Sequence, residues 1–153
     1  MLSLQLNAER TKRRLATLIR SKGPAFVEAS VQKLAGDVVD RTVKAIEGGY
    51  ADTPERVGTG RYRDAWIVAG KAAGSLSPRS ATRAQPGDGG ATYSGSGMHR
   101  TIRVFNAVEY AYRVEYGDAN MAPGGHLRRA FRVVRRDTLR RLRVEFKRLW
   151  GTL

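Results

Sequence analysis

PAFVEASVQKLAGDVVDRTVKAIE, residues 24–47, places Val27, Val31, Leu34, Val38 and the Ala45–Ile46 pair near the helical period, with Ala35 and Val39 widening the same face. Pro24 suits the first turn of a helix, where a missing N–H loses no partner. Gly48–Gly49 end the run. The spacing predicts a helix roughly 36 Å long at 1.5 Å per residue, a length suited to a spine or to a contact between subunits. Upstream, Gly23–Pro24 breaks the chain from a shorter predicted helix over 7–21, with Asn7 as its cap and Leu15, Leu18 and Ile19 as its stripe.

Downstream the pattern changes. Residues 50–61, YADTPERVGTGR, form a turn-rich connector, and Tyr62 to Ala69 carries a helical turn running into a strand. Residues 71–99 hold clustered Gly, Ser, Thr and Pro, with Leu76, Tyr93 and Met98 as their only large apolar side chains. Such a stretch cannot offset the entropy of its own ordering by burial, so 76–98 is expected to be a flexible loop. Thr101 to Phe105 alternates as a half-buried strand should, with Ile102 and Val104 on one face. Asn106–Ala107 turns the chain, and VEYAYRVEYG (108–117) follows with three tyrosines. A last helix is expected from His126 to about Leu149, its stripe made by Leu127, Phe131, Val134, Leu142, Phe146 and Leu149 with Thr138 filling the gap. The expected fold is α+β: a single domain over 1–153 whose long N- and C-terminal helices pack on a small antiparallel or mixed sheet.

Charge is the strongest compositional signal. Twenty-eight Lys and Arg face 14 Asp and Glu, a net +14 in 153 residues. Residues 128–148 hold ten bases against Asp137 and Glu145, and a basic N-terminal arm (1–22) holds six against Glu9, while the middle is close to neutral. A surplus of this size attracts nucleic acid, anionic lipid or an acidic protein surface. Arginine in particular forms paired bonds to phosphate or carboxylate. Arg128, Arg132, Arg136, Arg140 and Arg143 are therefore the candidate contacts to DNA or to an acidic partner.

Little points to catalysis. With no cysteine, disulfides, thiolate chemistry and Cys-ligated metals are excluded. His99 and His126 lie 27 residues apart with no zincin spacing. Ser94–Gly97 lacks a nucleophile elbow, and Gly87–Gly90 is no phosphate loop. Glu109 and Glu115 are a carboxylate pair better read as partners of arginines such as Arg63, Arg103 or Arg113 than as an acid–base couple. No cofactor, metal site, signal peptide or membrane span is expected, and the reading is non-enzymatic.

Two stretches carry a resemblance. DTPERVGTGRYRDAW (52–66) resembles the "TP, short spacer, TGR-L-R-x-S/A-W" signature, and NAVEYAYRVEYG (106–117) the "N-x-x-x-YA-x-x-V-E-x-G" signature, of the neck, head–tail joining or tail-completion (minor tail component) proteins of tailed bacteriophages. Pro123 to Ala130 is similar to that family's "P-G-x-x-L-R-x-A" opening of a final helix, so the likeness covers most of 24–149. Departures are the longer spacer Glu55-Arg56-Val57, Tyr62 for leucine and Asp118 for threonine. The resemblance singles out Thr53, Pro54, Thr59, Gly60, Arg61, Trp66, Tyr110, Glu115 and Gly117 as motif or interface residues. Any one of the aromatic positions serves equally as core.

What it implies is a structural virion protein, assembled in the host cytoplasm, that forms a ring at the head–tail junction around the DNA channel. Copy number, six or twelve, stays open. Expected partners are other copies of itself, the adaptor or connector, the tail-terminator or tail-tube proteins and, without sequence preference, the genome DNA. No membrane contact is implied. The alternative function is a nucleoid-type DNA-binding module that ignores sequence.

Overall fold

One helix of 40 residues, α1 (Ala8–Glu47), runs where two were expected, straight through Pro24. Proline removes one helical hydrogen bond and normally pushes the residue before it out of the helical region through a clash with that residue's Cβ. Gly23 has no Cβ, so the part of that clash due to a side chain is absent. The same lack of a side chain seats Gly23 against the Met98 sulfur, where a Cβ would lie 2.7 Å from Sδ. The computed structural model describes residues 8–48, 60–75 and 77–150. Thr53, Pro54 and Thr59 lie outside them.

The other elements are α2 (Arg61–Ala72), β1 (Gly89–Ser94), β2 (Thr101–Asn106), α3 (Ala111–Tyr116), α4 (His126–Arg136) and α5 (Thr138–Trp150). The chain is α+β, with a two-stranded antiparallel sheet packed on α1 and α2. Helix α1 is the spine: α2, α4, α5 and β2 all pack against it. Its buried Val39, Val43 and Ile46 meet Tyr62, Trp66, Ile67 and Ala69 of α2, with Val114 of α3 closing the cluster. Thr42 is buried without penalty because its hydroxyl donates to the Val38 carbonyl at 2.8 Å. Gly70 lets α2 approach closely, its Cα facing the Val39 side chain.

Three expectations need correction. Tyr62–Ala69 does not run into a strand; it is the body of α2, with Tyr62, Ala65, Trp66 and Ala69 on the buried face. The loop expected over 76–98 contains β1, paired residue by residue with β2 from Gly89↔Asn106 to Ser94↔Thr101. Its glycines serve close packing: a Cβ on Gly89 would overlap the Ala65 carbonyl oxygen, and one on Gly90 would meet the Phe105 ring. The final helix is two, α4 and α5, parted at Asp137. There the Asp137 N–H is shared between the carbonyls of Val133 and Val134, and the Thr138 hydroxyl also bonds the Val134 carbonyl at 3.0 Å. Side-chain competition of this kind weakens a helix locally.

Candidate interaction surface

The resemblance residues that are described build a scaffold, joined by three buried carboxylates. Arg61 opens α2 and donates from Nε and Nη2 to the two carboxylate oxygens of Asp88, each at 2.7 Å. The backbone N–H of Gln85 adds a third bond at 2.7 Å. Asp88 is nearly fully buried, and the Arg61 hydrogen bond, with the Gln85 N–H second, pulls its carboxyl down to about 2. This paired bond fastens the start of α2, next to its N-cap Gly60, to the start of β1. Asp64, fully buried, accepts from Arg63 Nη2 at 2.6 Å and from the Arg83 backbone N–H at 2.8 Å, tying the following loop to the same helix.

Glu115 is the third. Its Oε2 accepts from the Leu127 N–H at 3.1 Å and its Oε1 from the Arg128 N–H at 3.0 Å. These are among the backbone donors that the first turn of α4 leaves unpaired, and a carboxylate there also faces the positive end of the helix dipole. The N-cap itself is Gly125, which has no side chain to do this. Arg128 returns the contact, with Nη2 donating to the Glu115 carbonyl at 3.0 Å and its guanidinium 4.6 Å from the Tyr116 ring centre. Gly117 ends α3 with φ 78°, a conformation that L side chains rarely adopt.

Several sequence readings change in this light. The partner of Glu115 is Arg128, and Glu109 reaches Arg61 at 3.6 Å; neither meets Arg63, Arg103 or Arg113. The two acids differ sharply in exposure, 7% against 86% for the side chains, so they form no opposed pair. Trp66 is core, set edge-on to Tyr62 with ring centres 6.3 Å apart. Burial raises the Tyr62 phenol well above its ordinary range. Tyr110 is half-buried against the core, while Tyr112 and Tyr116 stack at 4.7 Å on the surface. His126, in the first turn of α4, is buried; burial lowers its pKa, and Arg129 lowers it further, against an opposing pull from Glu115. Asp64 and Asp88 escaped the sequence reading. Their only signal was an acid beside arginine or glycine, which surface loops share.

The arginines divide. Arg128 is committed to Glu115 and Tyr116, so it is a positioning residue of the fold rather than part of a free basic face. Arg132, Arg136, Arg140 and Arg143 are exposed. Arg140 meets Asp137 at 3.4 Å; Arg132, Arg136 and Arg143 make no ion pair or hydrogen bond among the described residues. Phe131, expected in the buried stripe, is 55% exposed, because α4 buries His126, Ala130 and Val134 instead. No family model, curated protein or solved structure matches this chain. No helix among the described residues is long and apolar enough to cross a membrane.

Proposed function

We propose that this chain is a structural subunit of the head–tail junction of a tailed bacteriophage, closing with its own copies into a ring around the DNA channel. The observation that carries the reading is the set of exposed arginines on α4 and α5. Arg132, Arg136 and Arg143 stand exposed, and none of them pairs with an acid among the described residues. A lone protein would bear this self-repulsion without return, whereas a channel wall facing phosphates gains from it. The motif likeness supports the same reading from a different side, since its described residues Arg61, Trp66, Glu115 and Gly117 all hold the scaffold that carries these arginines. Closure into a ring avoids the open polymer that a head-to-tail contact otherwise produces.

The test replaces Arg132, Arg136 and Arg143 together by glutamine. Exposed changes of this kind leave stability within about 0.5 kcal/mol. Purified particles carrying the triple variant should lose neck assembly or retain less genome. A normal yield of infectious, DNA-filled particles would refute the reading. A chain that coats DNA throughout the cell and never enters particles would point to the nucleoid-type module instead.

A further inference from the structure

Beside the free arginines lies an apolar groove of about 570 Å³ between α1, β2 and α4. Val31 and Leu34 of α1, Val104 of β2, and Leu127 and Phe131 of α4 line it. Its volume lies within the range of clefts that enclose an apolar ligand group. Three arginines belong to its lining; Arg128 of α4 is engaged by Glu115 and Tyr116, which leaves two uncommitted cations, Arg103 on the strand and Arg135 on the helix. Both are exposed and make no ion pair or hydrogen bond among the described residues. A large exposed aromatic side chain flanked by uncommitted arginines is the composition enriched at protein interfaces.

We infer that this groove docks an amphipathic helix with acidic flanks from a different protein. Charge decides between occupants. Duplex DNA would satisfy Arg103 and Arg135 but offers its backbone phosphates, not apolar side chains, to the floor. A second copy of this chain is disfavoured by sign. Among its exposed apolar side chains, Ile19, Tyr112, Leu139 and Val144 neighbour Arg20, Arg113, Arg140 and Arg143, and Tyr116 lies under Arg128, so each would bring cations onto cations. Tyr93 is tied to the Ala72 carbonyl, and Met98 lies against Gly23. An amphipathic helix fills the floor with residues at i, i+3, i+4 and i+7 while Asp or Glu on its flanks meets the two arginines. The inference rests on the proposed function only in taking that protein to be a neighbour in the assembly; docking itself belongs to the free chain.

The experiment uses the whole chain and a labelled synthetic peptide with leucines at i, i+3, i+4 and i+7 and Asp or Glu elsewhere, beside a twin with Lys at the acidic positions. Fluorescence anisotropy at physiological salt should show the acidic peptide binding and the Lys twin not. Phe131→Asp should weaken binding at least about tenfold, as truncation of a central anchor does. Arg103→Glu with Arg135→Glu should reverse the preference toward the Lys twin. All three side chains are exposed, so the variants should keep the wild-type urea midpoint. The inference is overturned if Phe131→Asp binds the acidic peptide as well as the wild type, since plain charge attraction would then explain it. It is equally overturned if Phe131→Asp abolishes self-association, which would make a second copy the occupant. Peptide binding can fail while the triple glutamine variant still loses neck assembly, so this failure is distinguishable from failure of the functional reading.

Discussion

Replacing Glu115 by alanine removes a carboxylate that is 7% exposed and bonded to two backbone N–H groups of the first turn of α4. A hydrogen bond to a charged group contributes about 1.5–3 kcal/mol, and loss of an N-terminal cap costs about 1 kcal/mol. These effects overlap because the same donors are counted in both, so the expected loss is about 3 kcal/mol. For a chain of 153 residues that lowers the melting temperature by roughly 6–12 °C. Glu115→Gln keeps one acceptor and should lose about half as much. The control is Glu109→Ala, six positions earlier. Glu109 is 86% exposed and 3.6 Å from Arg61, so its removal should change stability by less than about 0.5 kcal/mol. Urea unfolding followed by circular dichroism measures all three variants. In a double-mutant cycle, Arg128→Ala should cost less once the Glu115 carboxylate is gone, leaving only the loss of its contacts to the Glu115 carbonyl and the Tyr116 ring. Equal losses for Glu109→Ala and Glu115→Ala would show that the cap contributes nothing, and the account of how α4 is anchored would fall.

Gly89→Ala places a methyl group on the Ala65 carbonyl oxygen, a backbone atom that cannot rotate away. It should destabilise by about 1–3 kcal/mol and speed amide exchange along β1; wild-type exchange rates would contradict the close packing assigned there. Burial lowers the pKa of His126, so the unfolded chain takes up its proton first as pH falls. Stability should therefore drop from the ordinary value of 6.5 down to the lowered folded value, and His126→Phe should flatten that slope in urea titrations. An unchanged slope in the variant would assign the pH dependence to other groups.

Local pattern made much of this chain legible. The stripe of Val38, Val39 and Ile46 lies in the core because a 3.6-residue period gathers those positions on one face whatever packs there. The alternation at Ile102 and Val104 marked β2 for the same reason with a period of two. The exposed charge of Arg132, Arg136, Arg140 and Arg143 was legible too, since solvation keeps such side chains outside. Features that depend on what lies across space were not. Glycines read as looseness in β1 because their role, passing under the Ala65 carbonyl and the Phe105 ring, belongs to neighbours distant in sequence. Phe131 fits the helical stripe by spacing, yet α4 turns Ala130 and Val134 inward and leaves it at the groove. The sequence by itself determined the helical run of α1 from Pro24 to Glu47, the extended β2 and where the positive charge is carried, because those properties follow from each residue and its near neighbours. Only the tertiary structure decided that Asp64, Asp88 and Glu115 are internal fasteners while Glu109 faces water, because a carboxylate's role is set by the donors that the fold brings around it.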